Sequence, residues 1–310
     1  MLSRLLTVIA SFCFHRYQTK RQTMIIITGA TGRLGSQIVD RLLTRVPADG
    51  VGVSVRDTGR AAGLAGRGVR VRHGDFIDPG SLTHAFEGAT QVLIVSTDRA
   101  GEEAVAQHIA AIDAAHDAGA RRILYTSHQG AAEDSLFAPM PDHAATEHHL
   151  SKTGTPFTAL RNGFYADTVR HLLGRALETG ELVAPADGPI SWTTHSDLAE
   201  AAAIILADPG RFDGPTPPLT APEALDLADI AGIATELTGR AIRRVVADDA
   251  AWTATMIGNG VPEDQANMLL GMFRAARRGE FAATGPELEN LLQHPATSVH
   301  SVLKGLTTQP

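Results

Sequence analysis

Gly29, Gly32 and Gly35 recur at every third position directly after the β-branched run Ile25-Ile26-Ile27-Thr28. Residues of these types at this spacing can hold a diphosphate. Glycine lets the turn be tight, lets the backbone approach a ligand and lets the following helix lie close to the strand. The free N–H groups of that helix point back at the turn, where an anion is favoured. A glycine string alone is weak, because glycine-rich loops are common. Here a strand precedes it and a helix follows, as a dinucleotide site requires. The helix, from about Arg33 to Arg45, puts Leu34, Ile38, Leu42 and Val46 on one face. The expected cradle is Gly29, Ala30, Thr31, Gly32, Arg33, Leu34 and Gly35.

Arg56 ends the next buried-strand pattern, Val51 to Val55. An acid there would accept from the adenosine ribose hydroxyls, whereas an arginine can clasp a 2′-phosphate through two parallel charged hydrogen bonds. Arg56 therefore favours NADPH over NADH. The alternative is an arginine that simply ends a strand in solvent beside Asp57. Asp75 and Phe76 follow a third strand, Val69 to His73, and could hold an adenine, Asp75 by hydrogen bonding and Phe76 by lying beside it. A plain loop acid is the rival reading of Asp75.

The elements that must position these groups alternate strand and helix at short intervals. Pro79 to Glu87 reads as a helix with proline in its first turn. Val92 to Val95 is a fourth strand leading to Ser96 and Thr97, and a long helix runs from about Gly101 to Ala118. Arg121 to Thr126 is a fifth strand ending at Ser127-His128, and Thr155 to Arg161 is a sixth. Strands this apolar, joined by helices, imply a doubly wound parallel sheet in an α/β fold. Ser96, Thr97, Thr126 and Ser127 then fall at carboxyl edges, where such sheets bind ligands, and are expected to line the cofactor. Beyond Arg161 the alternation loosens. Glu181 to Ala184 reads as a short strand, and Gly210 to Pro222 is a proline-rich connection. Asp197 to Leu206, Leu225 to Thr238, Asp248 to Gly258, Glu263 to Arg278 and Pro286 to Leu292 read as helices.

Composition narrows the function classes. With 310 residues, 44% hydrophobic and 20% charged, the chain can bury a substantial core and is not mainly disordered. Residues 1 to 23 hold four of the 27 basic residues and none of the 34 acids, which leaves a net charge of −11 from Met24 onward. That charge is a poor footing for a phosphate backbone, so no nucleic-acid partner is expected. Cys13 is the only cysteine, and a reducing, cytoplasmic setting fits. The apolar run Leu5 to Phe14 is too short to span a bilayer, and no membrane partner is expected. Residues 1 to 23 read first as a mis-assigned start upstream of Met24, with a basic targeting leader as the alternative. His128, His143, His148 and His149 lack the spacing of a known zinc site, and no metal is expected.

Several stretches together resemble the NmrA-like branch of the atypical short-chain dehydrogenases, in particular its type 2 quinone oxidoreductases and triphenylmethane reductases. They are Ile27 to Gly35, Val55-Arg56, His73-Gly74-Asp75, Tyr125-Thr126-Ser127, His143-Ala144-Ala145-Thr146-Glu147 and Leu160-Arg161-Asn162-Gly163-Phe164-Tyr165. The resemblance covers nearly all of residues 24 to 310. It implies a Rossmann-type dinucleotide-binding core over 24–160 and a smaller, mostly helical substrate-covering part over 161–310. It also implies NADPH as donor, no flavin, and a monomer or homodimer.

Ordinary short-chain dehydrogenases carry Tyr-x-x-x-Lys, whose tyrosine moves the proton that accompanies hydride transfer. This chain has His143-x-x-x-Glu147 instead. A glutamate does not lower a tyrosine's pKa as an ammonium does, so ordinary alcohol dehydrogenase chemistry is not expected. Quinones and cationic dyes are strong hydride acceptors and need less help from an acid. The resulting expectation is hydride transfer from NADPH to an electron-poor conjugated acceptor such as a quinone or dye. Asn162 and Tyr165 would orient the acceptor, and His143 would be the catalytic proton donor. Each has a structural alternative: His143 a solvated helix residue, Asn162 a helix cap, Tyr165 a core residue. The competing function is an NADP(H)-binding redox sensor without turnover.

Overall fold

The protein is represented by a computed structural model that describes residues 23–307, so the expectation for residues 1–23 falls, but for its last residue, outside the described residues. Eleven strands are found there: β1 (Ile25–Thr28), β2 (Val51–Val55), β3 (Arg70–His73), β4 (Gln91–Ile94), β5 (Arg122–His128), β6 (Phe157–Asn162), β7 (Phe164–Tyr165), β8 (Glu181–Pro185), β9 (Trp192–Thr193), β10 (Gly214–Pro215) and β11 (Arg243–Ala247). The helices up to residue 179 are α1 (Arg33–Leu42), α2 (Ala62–Gly66), α3 (Pro79–Phe86), α4 (Glu102–Asp117), α5 (Pro139–Lys152), α6 (Asp167–Leu173) and α7 (Ala176–Thr179). Those after it are α8 (His195–Ala207), α9 (Leu227–Thr238), α10 (Asp249–Gly258), α11 (Glu263–Arg277), α12 (Glu287–Leu292) and α13 (Val299–Thr307).

Seven strands form one parallel sheet in the order β10-β6-β5-β4-β1-β2-β3. Side-chain alternation sends Ile25, Ile27, Val53, Leu93, Leu124 and Leu160 to one face, where α1, α8 and α12 cover them with Ile38, Leu42, Leu198, Ile205 and Leu291. Ile26, Val92, Ile94, Ile123 and Tyr125 point the other way and are covered by Leu82 and Phe86 of α3 and Ile112 and Ala115 of α4. Helices on both faces explain why the central strands are apolar throughout. The chain leaves β1 toward β2 and β3, then returns to lay β4 on its other side. The crevice beyond the carboxyl ends of β1 and β4 is therefore the topological switch point, where ligands bind in such sheets.

A second core lies over that edge. Phe164, Trp192, Leu182, Ile230, Phe273, Phe281 and Leu303 are buried together. The later part of the chain also returns to the sheet: α8 packs along α1, and Glu200 takes both Arg41 and Arg45 at 3.2 Å. Strand β10 lies inside the stretch expected as a proline-rich connection. Pro215 is tolerated because the strand is at the sheet edge. Strand β11 and helix α13 were not anticipated. Strand β11 pairs in parallel with β8, some sixty residues earlier, and short strands that depend on so distant a partner carry little local signal.

Candidate active site

The glycine turn has the geometry of a backbone cradle. Gly29 sits at φ 63°, in the left-handed region. The Gly32 N–H donates to Gly29 O at 2.9 Å. A Cβ on Gly35 would fall 2.2 Å from that same oxygen, so only glycine lets α1 approach β1 this closely. No side chain caps the N-terminus of α1, and its first turn holds no acid. A diphosphate fits there. Arg56 is exposed one residue beyond β2, while Asp57 accepts the Gly59 N–H at 2.9 Å in a local turn. Arg60 and Arg67 line a cavity of about 390 Å³ beside Ala30, Thr31 and Ser36. Neither was singled out from the sequence, where a second basic residue four places after Arg56 was the available signal.

Asp75 is tied to its own loop: its N–H donates to Ser81 Oγ at 2.9 Å, and its Oδ1 accepts the Ile77 N–H at 3.2 Å. Phe76 packs partly against the core beneath α3. The exit of β4 is braced by three side chains in succession. Thr28 Oγ1 accepts the Val95 N–H at 2.9 Å, Thr126 Oγ1 accepts the Ser96 N–H at 2.8 Å, and His108 Nε2 accepts the Thr97 N–H at 3.0 Å. Thr126 is thus buried bracing for the edge that carries Ser96 and Thr97.

On α5, His143 faces inward. Its Nδ1 lies 2.7 Å from the hydroxyl of Tyr125, on β5. The same hydroxyl is 3.3 Å from His108 Nδ1, which is also 3.2 Å from Thr146 Oγ1. Burial pushes His108 down to about 4 and His128 down to about 3. It also holds His143 well below the ordinary imidazole value, with His128 and His108 adding to the effect. The Tyr125 phenol is raised, chiefly by burial. All four groups are therefore neutral near pH 7.

Glu147, one turn beyond His143, is buried against β5 and β6. It accepts from Ser127 Oγ at 2.6 Å and from Arg161 through Nε at 3.1 Å and Nη2 at 2.6 Å. Ser127 is consequently engaged within the protein. Asn162 is 2% exposed, its Oδ1 has no hydrogen-bond partner, and it does not cap α6, whose N-cap is Ala166. Tyr165 stacks on His195 with centroids 4.1 Å apart, and its phenol is raised by burial, with a hydrogen bond to Asn162 opposing that rise. His195 Nδ1 lies 2.8 Å from Asp167 Oδ2, which also takes Arg33 of the glycine turn at 3.0 Å. The structure thus gathers His143 with Tyr125 and His108, and connects Tyr165 to Arg33 through His195 and Asp167. Sequence reading missed His108, Tyr125, Asp167 and His195. The available signal was a histidine among alanines on the apolar face of α4.

Sheet order, glycine turn and switch-point crevice define a dinucleotide-binding protein of the doubly wound class. The chain matches the NmrA-like family over residues 21–306 and belongs to it. It is 33% identical to quinone oxidoreductase 2 of Escherichia coli over 277 residues, covering 89% of this chain and 96% of that protein. It is 29% identical to an NAD(P)H azoreductase of Xenophilus azovorans, covering 82% and 87%. The crystal structure of the Escherichia coli NADPH-dependent quinone oxidoreductase complexed with NADPH superposes with a TM-score of 0.86 at 32% identity, covering 91% of this chain and 99% of that one. The Citrobacter triphenylmethane reductase complexed with NADP(H) gives 0.84 at 31%, with the same coverage. Among the described residues no helix is long and apolar enough to cross a membrane, and no group of three metal-ligating side chains comes together.

Proposed function

We propose that this protein binds NADPH and reduces a quinone or another electron-poor conjugated acceptor. The observation that carries the reading is the state of the pair standing where other short-chain dehydrogenases have tyrosine and lysine. Glu147 is clasped by Arg161 and Ser127, and His143 is held neutral by burial. Neither provides a strong acid, so the acceptor must itself be a good hydride acceptor.

NADPH, when bound, supplies the hydride. The glycine turn and the α1 amides would hold its diphosphate, and Arg56 the 2′-phosphate. Asn162, with its unpartnered Oδ1, and Tyr165 orient the acceptor. His143 donates a hydrogen bond to the acceptor oxygen that becomes negative as two electrons arrive. Water then delivers the proton that completes the hydroquinone. Support also comes from the quinone, dye and azo reductases among the relatives.

Loss of absorbance at the reduced-nicotinamide band, followed with purified protein and a panel of quinones, cationic dyes and azo compounds, tests the reading. Turnover of at least one acceptor class is expected. NADPH binding without oxidation by any of them would overturn it in favour of a redox sensor.

A further inference from the structure

His108 is buried, titratable, and takes no part in the reaction just described. Its hydrogen-bond partners nevertheless bear on where the protons between it and His143 lie. A backbone amide can only donate, so the Thr97 N–H finds an unprotonated Nε2 at 3.0 Å. A neutral imidazole with Nε2 bare carries its proton on Nδ1. That Nδ1–H faces two oxygens, Thr146 Oγ1 at 3.2 Å and the Tyr125 hydroxyl at 3.3 Å. The Thr146 hydroxyl gives its own proton to the Asp142 carbonyl at 2.8 Å and is free to accept. Shared with Thr146, that Nδ1–H still leaves the Tyr125 oxygen an acceptor toward His108, and the hydroxyl sends its own proton along its shortest contact, to His143 Nδ1 at 2.7 Å. His143 must then carry its single proton on Nε2.

We propose that His108 is a positioning residue that, acting through Tyr125, sets His143 in the neutral Nε2–H form, so that the acceptor meets a hydrogen-bond donor rather than a bare nitrogen. The catalytic consequence rests on the reading of function above; the tautomer does not. Surrounding groups do not oppose it. His128, whose ring stacks 6.3 Å from that of His143, has its Nδ1 accepting the Gly130 N–H at 3.0 Å. Glu147 is neutralised by Arg161, and the Asp142 carboxylate takes the Gly101 N–H at 2.6 Å. The same chain ties the donor to the β4 exit, so the cofactor-side edge and the acceptor-side histidine share one polarised path.

The test is the 15N spectrum of histidine-labelled protein without NADPH, with the His143 resonances assigned by their loss in His143→Asn. Wild type is expected to show an unprotonated Nδ1 and a protonated Nε2. Tyr125→Phe and His108→Leu are expected to give mixed tautomers. His108→Gln is expected to retain Nε2–H, because its carbonyl can take the Thr97 N–H while its amide reaches Tyr125. With an acceptor present, His108→Leu should lose about tenfold in kcat, one hydrogen bond's worth, and His108→Gln should recover it. An Nδ1–H tautomer in wild type, or pure Nε2–H in both Tyr125→Phe and His108→Leu, would overturn the proposal. Unchanged kcat alongside a mixed tautomer would overturn its catalytic part. If His108→Leu does not fold, His108→Ala, which also removes the Nδ1–H, takes its place. A correct tautomer in a protein that reduces no acceptor would leave the positioning standing and remove the proposed function.

Discussion

Glu147 and Arg161 form a two-bonded ion pair, with Nε at 3.1 Å and Nη2 at 2.6 Å from the two carboxylate oxygens. The glutamate is 8% exposed and the arginine 32%. The pair fixes α5, which carries His143, against β6, which carries Asn162. Removing one partner strands a charge. Glu147→Ala is expected to lose about 2–3 kcal/mol in denaturant unfolding, somewhat less than a fully buried pair because part of Arg161 reaches water. Glu147→Met combined with Arg161→Met should recover most of that loss.

Gly35 is expected to be intolerant of any side chain, since a Cβ there meets Gly29 O at 2.2 Å. Gly35→Ala should lose about 1–3 kcal/mol of stability and weaken NADPH binding measured by calorimetry. Gly232, exposed within α9 with nothing within 4 Å of an added Cβ, is the control. Gly232→Ala should gain about 0.5–1 kcal/mol and leave binding alone.

Arg56→Ala should raise KM for NADPH about ten- to hundredfold, the worth of one to two charge-assisted hydrogen bonds, with KM for NADH unchanged. Steady-state kinetics with both donors decides the point. Equal effects on the two would show that Arg56 does not read the 2′-phosphate.

Acid should destabilise this protein earlier than its carboxylates require. His108 and His128 are pushed from 6.5 down to about 4 and about 3 by burial. Below pH 6.5 the unfolded chain binds protons that the folded one refuses, so stability is fully present above that pH and is lost as pH falls toward 4 and then 3. His108 alone accounts for roughly 3 kcal/mol by pH 4. Urea midpoints should be level from pH 8 to 6.5 and fall below it, with a shallower fall in His108→Gln. A level midpoint down to pH 4 would refute the assignment.

The strand-turn-helix at Ile25 to Gly35, the parallel sheet and the family are legible in the order of the residues. Each rests on local periodicity or on glycine geometry, and both are written into short windows. That order also placed Arg56 past a strand end, where register alone decides the position. It could not reveal that Thr97, His108, Tyr125 and His143 form one hydrogen-bonded path, because those residues come from a loop, two helices and a strand that meet only when the sheet is wound. Nor could it foresee β11, which exists only because β8 lies beside it. The protonation states follow only from the folded surroundings: desolvation depends on what encloses a side chain, and although His108 stands out among the alanines of α4, nothing in one sequence shows what packs over it.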